Sequence, residues 1–113
     1  MAYDTRLEER IDQLVSEWDT PLTKKKMFGG LGYMAYGNMC FGIHKDELIV
    51  RTSEEKAAEL LKRPGIHEFS MGHSRKSKTW IMASKELIAD KNELGDLLTI
   101  SSEYVSTLPP KDK

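Results

Sequence analysis

The fold is decided by residues 27–51, which read MFGGLGYMAYGNMCFGIHKDELIVR. Short apolar runs in this stretch are separated by the dipeptides Gly37-Asn38 and Lys45-Asp46. Glycine and asparagine both tolerate positive φ, so Gly37-Asn38 is a strong signal for a two-residue hairpin turn. With a second tight turn at Lys45-Asp46, the stretch is predicted to form an antiparallel β-meander.

The two turns predict a register, and the register predicts two faces. Directly paired residues share a face, and side chains alternate between faces along a strand. A turn at Gly37-Asn38 pairs Ala35 with Cys40, and a turn at Lys45-Asp46 pairs His44 with Glu47. The predicted apolar face carries Met34, Tyr36, Met39, Phe41, Ile43, Leu48 and Val50. The predicted second face carries Tyr33, Ala35, Cys40, Gly42, His44, Glu47, Ile49 and Arg51.

Helices are predicted on both sides of the meander. Residues 4–18 and 54–63 and the segment that begins at Asp90 repeat apolar side chains at helical spacing. Residues 79–84, TWIMAS, are predicted as a further strand. The order α-β-β-β(-β)-α-β-α predicts an α+β fold, a two-layer domain with helices packed on one face of an antiparallel sheet. Residues 1–113 are expected to form one domain.

Composition narrows the class of protein. Hydrophobic residues at 39% and charged residues at 31% are ordinary for a globular domain of 113 residues. The formal net charge of −1 lacks the positive excess of most nucleic-acid-binding domains. No apolar run approaches the ~20 residues that span a bilayer, and the first ten residues are charged where a signal peptide is apolar. A cytoplasmic location without a membrane partner is therefore expected.

The motifs along the chain resemble a known family. They are the run Met27, Phe28, Gly29 and Gly30, the hairpin residues Gly37, Asn38 and Met39, and the segments 48–51, 71–72, 78–82 and 107–111. Together they resemble the N-terminal domain of the TfoX/Sxy family of bacterial competence regulators. The resemblance implies a small α+β domain that brings no catalytic motif. It also implies a short, single-domain member that lacks the C-terminal helical domain of full-length members, which resembles helix-hairpin-helix DNA-binding modules.

Cys40 is the sharpest candidate for chemistry. Its predicted position near His44 and Arg51 would lower the thiol pKa, as expected for a thiol sensor or a nucleophile. Cys40 and His44 are four residues apart in a strand, however, so their side chains lie roughly 13 Å apart, too far for a nucleophile–base pair. The favoured alternative is a small buried hydrophobe. One cysteine and three histidines without zinc-site spacing predict no metal, and no cofactor is predicted.

Two further side-chain sets each allow two interpretations. Lysines 24–26, Arg75, Lys76 and Lys78 could form a basic patch for single-stranded nucleic acid, with Tyr33 and Trp80 as stacking groups. The favoured alternative is that these lysines solvate the surface and keep strand edges apart.

The methionines form the second set. The simplest interpretation is that they pack in the core, and the alternative is a methionine-lined groove for a partner. The set comprises Met27, Met34, Met39, Met71 and Met82.

The sequence therefore favours a non-enzymatic regulatory or adaptor domain that binds another protein, or a second copy of itself as a homodimer. Binding is expected through the second sheet face or an exposed strand edge. A nucleic-acid-binding module is the alternative, and a thiol sensor or enzyme at Cys40 ranks last. The candidate interaction residues are Tyr33, Cys40, Ile49, Arg51, Arg75, Lys76, Lys78 and Trp80.

Overall fold

A computed structural model of the chain describes residues 3–18, 22–27, 30–68 and 79–109. Within these ranges the helices are α1 (Thr5–Val15), α2 (Glu54–Leu60), α3 (Lys85–Ile88) and α4 (Lys91–Val105). The strands are β1 (Thr23–Met27), β2 (Gly30–Ala35), β3 (Asn38–His44), β4 (Glu47–Arg51), β5 (Ile66–Glu68) and β6 (Trp80–Ala83). All six strands form one antiparallel sheet in the order β1-β2-β3-β4-β6-β5.

The α+β fold predicted from the sequence is confirmed, with the sheet larger than expected. The four-strand meander forms, and the predicted late strand becomes β6, which lies between β4 and the short edge strand β5. Each long helix begins at an aspartate that caps it. The Asp4 carboxylate accepts hydrogen bonds from the amides of Arg6 and Leu7, and Asp90 serves Asn92 and Glu93 in the same way.

One face of the sheet carries the core, and all four helices contribute to it. Leu7 and Ile11 of α1, Ile88 of α3 and the apolar stripe of α4 pack against the central strands. The ring of Trp18, just after α1, meets Phe41 edge-on with the ring centroids 6.2 Å apart. The buried strand residues in this core are Leu31, Tyr33, Ala35, Cys40, Phe41, Ile43, Leu48, Val50, Ile66, Ile81 and Ala83.

The second hairpin has the predicted register, and the first does not. His44 pairs with Glu47 as expected, and the rest of β3–β4 follows. In the first hairpin Ala35 pairs with Asn38, so the turn residues are Tyr36 and Gly37, with φ of 53° and 82°. Positive φ at both central residues is what a type I′ turn requires. Asn38 therefore lies in β3 rather than in the turn, and its side-chain amide Nδ2 donates to the carbonyl of Pro109 at 3.0 Å.

A β-bulge then reverses the faces predicted for part of the meander. Met34 pairs with Met39 whereas Tyr33 pairs with Phe41, which leaves Cys40 as an extra residue on β3. Cys40 and Phe41 consequently both lie in the core, together with Tyr33. Met34 and Met39 lie on the opposite face and are half-buried. The assignment of Tyr33, Ala35 and Cys40 to the second face was therefore wrong, and so was the assignment of both methionines to the core. Tyr36, predicted on the apolar face, is exposed at the turn.

Two glycines provide a paired test of this packing. A methyl group on Gly95, in the middle of α4, would meet nothing within 4 Å. A methyl group on Gly42 of β3 would collide with the carbonyl oxygen of Leu31 and lie 2.8 Å from the Met39 methyl carbon. We expect Gly95→Ala to raise the free energy of unfolding by about 0.5–1 kcal/mol through helix propensity, and Gly42→Ala to lower it by about 1–3 kcal/mol.

Urea denaturation of both variants measures these changes directly. Equal effects of the two substitutions, or a loss of stability in Gly95→Ala, would contradict the described packing of β3 and α4.

Candidate interaction surface

The side of the sheet opposite the core carries a surface that we call the open face. Strand pairing arranges it in rows that run across the strands. The central row takes one residue from each strand in sheet order, namely Lys25, Gly32, Gly42, Ile49, Met82 and His67. A second row contains Met34 paired with Met39 and Arg51 paired with Trp80, and the two pairs meet where Arg51 donates to the Met39 carbonyl. A third row contains His44 paired with Glu47. In the described part of the chain, no helix packs on this face.

Burial on the open face is uneven. Ile49 is 7% exposed and Met82 is 4% exposed, although neither belongs to the core cluster on the other side of the sheet. The side chains that present the surface are half-buried ones, including Met34, Met39 and Trp80. Lys25 and His67 are exposed at opposite edges of the sheet. The surface is thus a closely packed mixture of thioether, aromatic and charged groups.

Only some of the polar side-chain atoms on the open face have a hydrogen-bond partner among the described residues. The Arg51 guanidinium lies 5.5 Å from the centroid of the Trp80 ring, a distance suited to a cation–π contact, and its Nη1 donates to the Met39 carbonyl at 3.5 Å. His67 Nε2 lies 3.2 Å from a Glu47 carboxylate oxygen. In contrast, Arg51 Nε and His44 Nδ1 are buried and have no hydrogen-bond partner among the described residues. Buried polar atoms of this kind are costly unless something pairs with them.

The structure brings together only some of the residues predicted for interaction. Ile49, Arg51 and Trp80 lie side by side on the open face, in agreement with the register of the second hairpin. Tyr33 is 1% exposed and Cys40 is 0% exposed, both on the core side, because the bulge turns them inward. Arg75, Lys76 and Lys78 lie outside the described residues, as do Phe28 and Gly29.

Sequence analysis missed the methionines of this face. Met34, Met39 and Met82 were predicted chiefly as core, but they lie on the open face. Met82 follows from alternation once β6 is paired with β4, because it lies opposite Ile49. The positions of Met34 and Met39 depend on the bulge, for which the sequence gives no signal beyond the high glycine content nearby.

The motif residues that the structure describes have structural roles. A side chain at Gly30 would collide with the Ile43 carbonyl oxygen, so β2 can begin this close to β3 only with glycine there. Gly37 completes the turn, and Asn38 binds the carbonyl of Pro109 beyond α4. Met27 is the last residue of β1 and pairs with Gly30. These residues shape the sheet that presents the open face.

Burial makes Cys40 a poor nucleophile. Loss of solvent raises the pKa of its thiol to about 11, and the positive charge of Arg51 opposes this shift without overcoming it. The thiolate, which is the reactive form, is therefore scarce at neutral pH. The backbone carbonyl of Cys40 accepts a hydrogen bond from the Ser101 hydroxyl of α4, which ties the bulge to that helix.

Tyr33 and Lys24 form a polar cluster with α1. The Tyr33 hydroxyl donates to an Asp12 carboxylate oxygen at 2.8 Å. Lys24 Nζ lies 2.8 Å from a Glu8 oxygen and 2.9 Å from an Asp12 oxygen. Hydrogen bonds to Glu8 and then Asp12 raise the pKa of Lys24 to about 12, and burial followed by the Asp12 hydrogen bond raises the pKa of Tyr33 well above its ordinary value. The cluster holds α1 against β1 and β2.

Three further features of the described residues concern metal binding, membrane insertion and surface grooves. No group of three or more histidine, cysteine, aspartate or glutamate side chains there could hold a metal ion. No described helix is long and apolar enough to cross a membrane. Two grooves of about 400 and 310 Å³ lie between the α1 region and α4, and Leu14 and Lys91 line both. Trp18 and Asp96 line the larger one. Neither lining contains a histidine or a cysteine.

The polar cluster predicts how stability depends on alkaline pH. Because the folded pKa of Tyr33 lies above its unfolded value near 10.0, its contribution is complete below pH 10 and is lost as pH rises beyond that. The free energy of unfolding should therefore fall above pH 10, by up to about 1.4 kcal/mol per pH unit for this group. In the Tyr33→Phe variant the free energy of unfolding should fall less steeply with pH. Urea denaturation between neutral pH and pH 11 measures both slopes.

Tyr36→Phe is the matched control, because that side chain is 45% exposed at the hairpin turn. If the free energy of unfolding of Tyr33→Phe falls with pH above 10 as steeply as that of the wild type, the pKa of the buried Tyr33 hydroxyl is not raised by folding.

Comparison with protein families identifies a match that covers most of the chain. The family model described as the TfoX N-terminal domain matches residues 13–104. This range contains all six strands, helices α2 and α3, and all but the last residue of α4. Comparison with the curated proteins and with the solved structures gave no match.

Proposed function

The chain belongs to the TfoX N-terminal domain family, and on that premise we propose that it is a non-enzymatic regulatory domain that binds another protein through the open face. The role is that of an adaptor in a competence-related or transcription-related process in a bacterial cytoplasm. Its sole cysteine is an unpaired buried thiol, which suits a reducing compartment.

The observation that carries this proposal is the composition of a sheet face that no described helix covers. Methionine, tryptophan and arginine are enriched at protein interfaces, and Met34, Met39, Trp80 and Arg51 form one row here. Methionine side chains adapt to different partner surfaces because they are flexible and polarizable.

The same contacts favour protein over nucleic acid as the partner. Tyr33 is buried and bonded to Asp12, so it is no stacking platform. Lys24 is paired with two carboxylates of α1, and Arg51 lies over the Trp80 ring. A non-enzymatic role is supported by the inaccessible Cys40 thiol with its raised pKa.

Affinity capture from the lysate of the native host tests the proposal. We expect the wild-type domain to retain specific proteins through nuclease treatment and moderate salt. Met34→Glu places a charge on the open face and should abolish capture, because a buried unpaired carboxylate is costly at an interface. Ala58→Glu adds the same charge at an exposed position of α2 and should leave capture intact.

Circular dichroism establishes that both variants fold. Capture that survives in a folded Met34→Glu variant, or that disappears on nuclease treatment of the wild type, would contradict binding of protein through the open face.

A further inference from the structure

We propose that the outer edge of β1 binds an extended, acidic segment of another protein, which adds to the sheet as a further strand. This edge is separate from the open face, so the proposal names a second binding site beyond the proposed function. Three features of β1 support it. Its backbone is unpaired on one side, two of its lysines have no ionic partner among the described residues, and its charge disfavours pairing with a second copy.

The backbone of β1 is paired on one side only. β1 is the first strand in the sheet order, and its five residues pair with β2 without a bulge. Among the described residues, no turn, loop or cap hydrogen bond involves the backbone of β1. Alternate residues of an antiparallel strand direct their N–H and C=O groups to the same edge. The outer edge of β1 therefore offers a row of donors and acceptors to an added strand.

The other edge of the sheet is a poorer platform for an added strand. β5 has three described residues, compared with five in β1. The amide of Ile66, the first residue of β5, already donates to the carbonyl of Arg63. Strand addition is therefore assigned to β1.

Lys25 and Lys26 are the charges that a segment on this edge meets. Both side chains are exposed, and neither forms an ion pair with a described residue. Lys25 pairs with Gly32 on the open-face side of the sheet, and Lys26 pairs with Leu31 on the core side. An added strand thus meets one unpaired ammonium group on each side of the sheet.

These positions specify the chemistry of the added strand. Side chains alternate between faces along a strand, so the residues opposite Lys25 and Lys26 are neighbours in the partner's sequence, whichever way its chain runs. Two adjacent acidic residues pair with both lysines. The residue opposite Lys24 should be uncharged, because Lys24 already lies 2.8 Å from a Glu8 oxygen and 2.9 Å from an Asp12 oxygen.

The same lysines disfavour a second copy as the occupant. If β1 of another copy paired antiparallel about Lys25, Lys25 would lie opposite Lys25, and Lys24 opposite Lys26. Like charges directly opposite one another destabilise a strand pair, and lysines on edge strands prevent such self-pairing. An acidic segment makes these contacts attractive. The edge thereby combines attraction to one class of partner with repulsion of another.

A peptide titration tests the chemistry of the edge. The probe is a fluorescent peptide rich in valine and threonine, with two adjacent glutamates at its centre. Its anisotropy should rise on addition of the full chain at low salt, and the affinity should fall as salt screens the exposed charges. Glutamines in place of both glutamates should raise the dissociation constant about tenfold, because two cross-strand ion pairs are lost.

Charge reversals on the protein locate the site. Lys25→Glu and Lys26→Glu should each raise the dissociation constant about tenfold, because each places a like charge opposite a glutamate of the peptide. Lys62→Glu is the matched control, since Lys62 is exposed and lies in the chain just before β5, at the opposite edge of the sheet. It should leave the dissociation constant unchanged. Circular dichroism of each variant separates loss of binding from loss of fold.

Methylation of the peptide backbone tests strand pairing apart from charge. Methyl groups on alternate amide nitrogens remove the donors from one edge of an extended peptide and leave those of the other edge. Two peptides are made, one methylated along each edge. Only one of the two should bind, because a single edge of the peptide faces β1. Any other result would overturn strand addition.

Three further results would overturn the proposal. They are a wild type that does not bind the glutamate peptide, equal weakening by Lys62→Glu and Lys26→Glu, and displacement of the peptide by a single-stranded oligonucleotide that binds more tightly. The last would assign the edge to nucleic acid.

The edge and the open face can fail separately. Binding at the edge alone is salt-sensitive and should be lost in the moderate salt of the capture experiment. If the peptide does not bind while Met34→Glu abolishes capture, the edge site is wrong and the proposed function stands. If the peptide binds as described while capture is insensitive to Met34→Glu, the reverse holds.

Discussion

An extra residue on β3, Cys40, breaks the alternation of side chains between the two faces of the sheet. A strand pair with strict alternation would place Met34 and Phe41 on one face and Tyr33 on the other. The extra residue on β3 brings Tyr33 and Phe41 together in the core, with their ring centroids 5.0 Å apart, and sends Met39 to the far side. One inserted residue thus decides both the aromatic centre of the core and the apolar content of the open face.

Helices α1 and α4 contact the sheet at residues beside the bulge. Helix α4 donates from Ser101 to the carbonyl of Cys40, and the chain just after it accepts from Asn38 at the turn. Helix α1 reaches Tyr33 through Asp12, and the neighbouring Trp18 packs against Phe41. On the core side, the helices are therefore held to the sheet by apolar packing and by hydrogen bonds. On the other side, only side chains of the strands themselves cover the sheet among the described residues.

The sequence predicts strand register correctly where apolar and polar side chains alternate without a break. The register of β3 with β4 follows from the apolar pattern on either side of Lys45-Asp46, and it placed Ile49 and Arg51 correctly. The turn and the register predicted for the first hairpin were wrong for two physical reasons. Asparagine and glycine are both turn formers, so the choice of Tyr36-Gly37 over Gly37-Asn38 depends on a tertiary hydrogen bond from Asn38. The bulge brings Tyr33 and Cys40 into contact with α1 and α4, and such contacts between distant parts of the chain are not specified by a local sequence pattern.

Thiol labelling of the native protein tests whether the bulge puts residue 34 on the open face and residues 35 and 40 in the core. In the wild type, Cys40 should react with iodoacetamide only after unfolding. In a Cys40→Ala background, Met34→Cys should be labelled in the folded state and Ala35→Cys should be protected. Rapid labelling at position 35 with protection at position 34 would contradict the bulge and, with it, the composition of the open face.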